Sequence, residues 1–444
     1  MSIPVRRERS GKRARRRMRS PAPQPRSRSV RAPVSRTAAQ TARRRASCRA
    51  VVIGGLSAWR RCGAMCHASR AKTRAAQVCK HHGQADVICL SLGIRENEDA
   101  MARRKPFEIG GVSVESGTRA RVDIPVSTLS NHTPVNLSVE VIHGRRGGPV
   151  LFVSAAIHGD EVIGVEIMRR LLKAAPLSSM AGTLLAVPIV NTFGFLNHKR
   201  YLPDRRDLNR VFPGVSEGSM ASQLAHIFMD QVVRRADVGI DLHSAAIHRT
   251  NLPQIRLTPG NARLEELGRA FGAPVMMESK LREGSLRMAA EQAGVDVLLY
   301  EGGEGLRFDE FAARAGVSGI LRVMQHLGMI GAKGVPRARG VPIRAARSRW
   351  YRAPRGGLFR GYLAVGEAVQ PGTVLGAVAN AFGDVETEVV ADVTGIIIGR
   401  TNLPVVYEGD ALCHVAETPR AEAAAEGISA HLEAAALFDE DEII

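Results

Sequence analysis

From position 148 onward, apolar residues fall into short unbroken runs separated by amphipathic stretches of helix length. GPVLFVSAAI (148–157), GTLLAVPIV (182–190), ADVGIDLH (236–243), APVMMES (273–279) and VDVLLYE (295–301) predict buried strands, because continuous Val/Ile/Leu runs suit strands covered on both faces. Stretches at 161–175, 219–235, 261–272, 285–294 and 308–328 predict the helices that alternate with them. Upstream, RARVDIPVST and VNLSVEVIHG alternate apolar and polar positions and predict short edge strands leading into the core. The whole predicts an α/β fold, a mostly parallel mixed sheet with helices on both faces. Ligands bind beyond the carboxyl ends of the strands in such sheets, so strand-end residues are the ones to weigh for chemistry.

After a Gly/Arg/Pro-rich linker at 331–346 the pattern changes. Residues 347–417 carry short apolar runs broken by glycine every 6–12 residues and read as all-β. Two segments echo each other, VGEAVQPGTVLGAV and PVVYEGDALCHVAE, a pseudo-repeat that resembles the barrel-sandwich of biotinyl and lipoyl domains. No lysine occurs between 334 and 444, so neither prosthetic group can be attached there. The expectation is a small C-terminal all-β barrel-sandwich serving as a cap, followed by an acidic, alanine-rich tail at 418–444. The α/β domain then occupies 101–330.

Charge alters the picture of the first hundred residues only. The formal net charge of +19 points at first to nucleic acid. Residues 1–100 hold 24 Lys and Arg against 5 Asp and Glu, while the rest of the chain holds 38 of each sign. The body is therefore neutral, which argues against a nucleic-acid partner for it. The basic segment is Arg/Ser/Ala/Pro-rich, acid-poor and aperiodic, and is expected to be disordered. Three readings compete: an organelle transit peptide, a nucleic-acid-binding arm, or a segment upstream of a true start at Met101. The change of composition at MARRKPFEIGG favours the third. Five cysteines (48, 62, 66, 79 and 89) lie in this segment without a C-x-x-C pair, so zinc-knuckle spacing is not supported. Only Cys413 lies beyond, which fits a reducing cytoplasm. No run of about 18 apolar residues exists, so no transmembrane helix is expected.

Three strand ends supply polar residues: His158-Gly-Asp-Glu161, His243 closing GIDLH, and Glu301 closing VLLYEGGEG. Two histidines and a glutamate give zinc three ligands and leave a fourth position open, as catalytic zinc requires. A further carboxylate nearby can deprotonate water. Against this, Asp160 and Glu161 could serve only as first-turn residues facing the helix dipole. A fourth element, RYLPDRRDLNRVFPG (200–214), holds Arg200, Asp207, Asn209 and Arg210 in a loop. Arg suits bidentate carboxylate recognition and Asn adds a directed amide; a solvated surface loop is the competing reading.

HGDE, RYLPDRRDLNRVFPG, DLH and YEGGEG, in this order, resemble the signatures of the succinylglutamate desuccinylase/aspartoacylase family, a branch of the zinc carboxypeptidase-like superfamily. The resemblance covers roughly 105–417 and leaves 1–100 unmatched. It implies a zinc-dependent hydrolase domain at 101–330 with one Zn²⁺ per chain on His158, Glu161 and His243. Glu301 would be the general base that activates zinc-bound water, with Glu304 of the same EGGE as its competitor. Arg200 would polarise the scissile carbonyl. Asn209 and Arg210 would hold a substrate carboxylate, supported by Asp207 in the same substrate-binding loop. Asp160 would cap the helix or orient His158. The implied activity is hydrolysis of a linear amide bond in amino-acid metabolism. A cytoplasmic enzyme would remove the acyl group from a small N-acyl amino acid or related carboxylate, with a zinc carboxypeptidase acting on peptide C-termini as the alternative. No membrane partner is implied, and a homo-oligomer is left open.

Specificity is less legible. HSAAIHRTNLPQIRL brings His248, Arg249, Asn251 and Arg256 towards the same rim, and Arg287 and Arg307 begin nearby helices. One or two of these are expected to line the site; several would mean an anionic substrate. Neither the acyl group nor the amino acid is selected by these residues.

Overall fold

The computed structural model describes residues 104–338 and 340–436. The basic first hundred residues, Met101 and the five clustered cysteines lie outside the described residues. The predicted alternation is present: β1 (Thr118–Thr128) and β2 (Pro134–His143) precede β3 (Arg146–Ala155), α1 (Ile163–Leu171) and β4 (Ala181–Val187). Next come α2 (Met220–Gln231), β5 (Val238–His243), β6 (Arg249–Leu257), α3 (Ala262–Phe271) and β7 (Val275–Glu278). The α/β part closes with α4 (Leu286–Gln292), β8 (Asp296–Gly303) and α5 (Glu310–His326). Side-chain caps fix the helix starts: Ser219, Asn261, Ser285 and Asp309 each accept a backbone N–H of the first turn. Gly272, left-handed at φ 70°, ends α3.

Strand alternation explains why both faces are covered. Leu151, Val153 and Ala155 of β3 join one core cluster with α1, α3 and α5, while Phe152 joins the other with α2 and α4. Phe152 meets Phe228 of α2 edge-on at 6.0 Å. The central strands β4, β3, β5 and β8 are parallel, and β1 and β2 add on in antiparallel fashion. The carboxyl ends of β3, β5 and β8 therefore open on the same edge.

One central strand escapes the sequence pattern. Residues 249–257 form β6, antiparallel to β8 and parallel to β7, where the sequence suggests only a polar rim. Asn251, Pro253, Gln254 and Arg256 hide the strand. Pro253 falls where the register with β8 shifts between Glu301 and Gly303, a place that tolerates a residue without an N–H.

The C-terminal region is β-rich as expected, and it is stitched into the main sheet. Its strands are β9 (Ser348–Arg352), β10 (Gly357–Gly361), β11 (Val374–Ala379), β12 (Glu386–Val390), β13 (Gly395–Thr401), β14 (Val405–Val406) and β15 (Ala411–Glu417). β13 pairs with β6, and β15 and β9 follow outward. The described residues thus contain a thirteen-stranded sheet that runs from β9 to β1. A four-stranded sheet in the order β12, β11, β10, β14 packs on this extension through Phe359, Leu375, Val378, Ile397 and Val415. Within the expected linker, Ile343–Ala345 pairs in parallel with β7. The expected tail begins as a helix, α6 (Ala421–Ala436). No described helix is long and apolar enough to cross a membrane.

Candidate active site and metal centre

β3 ends at Ala155, and Ala156 takes a left-handed φ of 51° that turns the chain out of the strand. His158 and Glu161 follow in a loop, because α1 begins only at Ile163. Gly159 is required there: a Cβ would lie 2.0 Å from the carbonyl carbon of Gly194. The turn is closed by the Glu161 N–H donating to the His158 carbonyl at 3.1 Å. His243 closes β5.

These segments converge. Ligand atoms of His158, Glu161 and His243 lie within 4.8 Å of one another, and all three residues are buried. Nδ1 of His158 is 2.6 Å from Oε1 of Glu161, and Nδ1 of His243 is 2.7 Å from Oε2. The far nitrogens are also engaged: His158 Nε2 lies 3.1 Å from Asp207 Oδ1, and His243 Nε2 lies 2.7 Å from Asp241 Oδ2. Burial works against charge on the imidazoles, yet the surrounding carboxylates raise both their pKa values. Burial likewise opposes ionisation of Glu161, and the two imidazoles outweigh it and hold its carboxyl far below the usual range. A pocket of carboxylates that stabilises positive charge on two rings will also stabilise a cation. Two imidazole nitrogens and a carboxylate oxygen are a donor set for zinc, and a carboxylate behind each ring is the support such ligands use. The residues fit a metal ion.

Around this centre lies a cavity of about 220 Å³, the size of one small metabolite. Arg200 lines it, donating to Glu161 at 3.2 Å and to Asp207 at 3.0 and 3.2 Å. Burial opposes its charge, and the two carboxylates outweigh burial and raise its pKa. Asn209 and Arg210 also line the cavity, whereas Asp207 does not. Asp207 instead accepts from Arg200 and from its own loop through the Asn209 N–H at 2.9 Å. Asn209 accepts the Leu286 N–H at 2.9 Å, which ties this loop to the start of α4. Asp160 corrects an expectation. Its side chain makes no hydrogen bond capping α1, and its Oδ1 is buried without a hydrogen-bond partner.

The two candidate carboxylates of EGGE separate clearly. Glu301 lies two residues before the end of β8, paired directly with His243 of β5, and lines the cavity. Asn251 donates to its Oε2 at 2.9 Å, and Arg256 faces its Oε1 at 3.3 Å. Glu304 lies outside the lining. Its oxygens accept the His248 N–H and the Asn402 amide, both at 3.0 Å, and tie the α/β part to the β-rich extension.

The rim is more cationic than expected. Arg249, Arg256 and Arg287 all line the cavity, and His248 and Arg307 do not. Arg287 is pushed down to about 10 by burial and then by Arg256, and the Nε atoms of both arginines are buried without partners. Asp241 and Trp350 were not anticipated. Asp241 was legible in principle, since it shares a strand face with His243 two residues away; Trp350 is some hundred residues from any motif and carries no local signal.

Residues 147–327 match the succinylglutamate desuccinylase/aspartoacylase catalytic domain. An N-alpha-acetyl-L-2,4-diaminobutyric acid deacetylase from Halomonas elongata is 28% identical over 287 residues, covering 62% of this chain and 84% of that relative. A succinylglutamate desuccinylase from Pseudomonas aeruginosa is 26% identical over 189 residues, 39% of this chain and 50% of its own length. The crystal structure of a succinylglutamate desuccinylase/aspartoacylase from Rhodobacter sphaeroides superimposes with a TM-score of 0.61 at 26% identity, covering 67% of this chain and 95% of that one.

Proposed function

On the premise that the chain belongs to the succinylglutamate desuccinylase/aspartoacylase family, we propose that it is a cytoplasmic, zinc-dependent amide hydrolase that removes the acyl group from a small, anionic N-acyl amino acid. One observation carries the reading: His158, Glu161 and His243 converge at the strand ends, and Glu301 lines the same cavity from the neighbouring strand. The three converging residues would hold the metal, which when bound supplies a Lewis acid for the acyl carbonyl and for water.

The chain's own residues then divide the work. Glu301, braced by Asn251 and Arg256, takes a proton from the attacking water and returns it to the departing nitrogen. Arg200, held by Glu161 and Asp207, offers its guanidinium to the negative charge that develops on the carbonyl oxygen. Arg210 beside Asn209 and the buried Arg287 are placed for substrate carboxylates. The cationic lining supports an acidic substrate.

The test is a hydrolysis screen of N-acetyl and N-succinyl amino acids with and without a chelator. Turnover of acidic members, lost with chelator and regained with zinc, is the expected result. Turnover of dipeptides alone would overturn the deacylase reading in favour of a carboxypeptidase.

A further inference from the structure

Among the described residues, the β-rich extension contributes a single side chain to the wall of the catalytic cavity, Trp350 of β9. Two contacts hold this indole, one to an imidazole and one to a guanidinium. Trp350 and His414 are direct cross-strand partners in β9 and β15, and their rings stack at 4.2 Å with 8° between the planes. His414 is buried, and burial followed by Arg256 pushes its pKa down to about 3. The imidazole beneath the indole is therefore neutral and does not repel a cation on it.

That cation is Arg249. Its guanidinium carbon lies 5.8 Å from the indole centroid, and its side chain makes no hydrogen bond or ion pair among the described residues. It belongs to the cavity lining, as does Trp350. A guanidinium on an aromatic face keeps its N–H donors available at its edge. Holding it there in advance reduces the ordering cost when an anion binds. Arg256, by contrast, faces Glu301, and Arg200 faces Glu161 and Asp207. Among the described residues, Arg249 is thus a cavity cation with no ion pair to a carboxylate.

We propose that Trp350 is a specificity-determining residue: it holds the Arg249 guanidinium at the cavity, where that group binds an anionic part of the substrate, and its indole bounds the space left for it. The inference rests on the deacylase reading for what the substrate is, and on the cavity alone for the existence of the binding pair. A segment far from the metal-ligating residues in sequence then sets which substrates bind, while the strand ends of the α/β part perform the chemistry.

Trp59 and Trp350 are the only tryptophans of the chain. Trp59→Phe in the full-length, zinc-loaded protein makes Trp350 the sole indole emitter. That protein is titrated with N-acetyl-L-glutamate, N-succinyl-L-glutamate and N-acetyl-L-2,4-diaminobutyrate. The acidic probes should change the emission saturably, and the third more weakly. Arg249→Gln, a change at the rim, should raise the midpoint for the acidic probes by roughly fivefold. Trp350→Phe should raise KM for any hydrolysed probe by about threefold, with kcat changed less than twofold. Hydrolysis without an emission response, or an Arg249→Gln midpoint equal to the parent's, overturns the proposal. An emission response without hydrolysis of any probe leaves the binding pair standing and overturns the deacylase reading instead. Silence in both measurements overturns both.

Discussion

Asn251 donates its side-chain amide to Oε2 of Glu301 at 2.9 Å. The bond crosses from β6 to β8 at the point where their register shifts, and Arg256 faces the other carboxylate oxygen at 3.3 Å. On the far side of Asn251 stands Gly399 of β13, where a Cβ would lie 2.8 Å from Asn251 Oδ1. The aim of the proposed base is therefore set by a strand on each side of β6. Asn251→Ala should lower kcat by about tenfold, the scale of one hydrogen bond to a charged group. KM should stay within about twofold, since this bond orients the base and leaves substrate contacts in place. Steady-state kinetics with metal analysis checks this; an unchanged kcat would show that Glu301 needs no such support.

Glu301 and Glu304 give opposite expectations although only two glycines separate them. Glu301→Ala should abolish turnover with zinc content unchanged, because Glu301 is not among the three residues proposed to hold the metal. Glu304→Ala should retain turnover within roughly threefold and melt at a lower temperature, because its carboxylate anchors Asn402 and the His248 backbone. If Glu304→Ala is the dead variant, the assignment of the base is reversed.

The strand ends were readable because β3, β5 and β8 are written in continuous apolar runs, and each run stops on or beside a histidine or glutamate. Lengths and order followed from those runs, and the helices from their amphipathic spacing. β6 was not readable, since it carries Asn251 and Arg256, which face the Glu301 carboxylate, where apolar residues would mark a strand. Asp160 misled in the opposite way. It sits where a helix cap would sit, but α1 starts at Ile163 and the cap is never formed. Trp350 depends wholly on tertiary register, through the β13–β6 pairing that continues the sheet.

Behind His243, Asp241 is fully buried and spends both oxygens, one near His243 Nε2 at 2.7 Å and one accepting the Ser154 hydroxyl at 2.8 Å. A carboxylate in this place orients a metal-binding imidazole and makes it a better donor. Asp241→Asn is nearly isosteric and keeps the Ser154 bond, so the fold should survive. Zinc affinity should fall about 10- to 100-fold, read by competition with a chromophoric chelator. An unchanged Kd would show that His243 does not bind the metal through the imidazole that Asp241 supports.

His414 links the cavity wall to pH. Its folded pKa is about 3, lowered first by burial and then by Arg256, against an ordinary value near 6.5. Above that ordinary value neither folded nor unfolded chain carries the proton, and nothing is lost. As pH falls below it, the unfolded chain takes up the proton while the folded chain refuses it. Stability therefore declines with falling pH until about pH 3, with a limiting slope of about 1.4 kcal/mol per unit from this one group. His414→Phe keeps an aromatic ring against Trp350 and removes the titration. Thermal melts of parent and variant between pH 7.5 and 4.5, taken as differences so that the shared metal-site histidines cancel, should diverge as the buffer becomes more acidic, the variant losing less. Parallel curves across that window would mean that His414 opens to water and takes up its proton without cost to the fold.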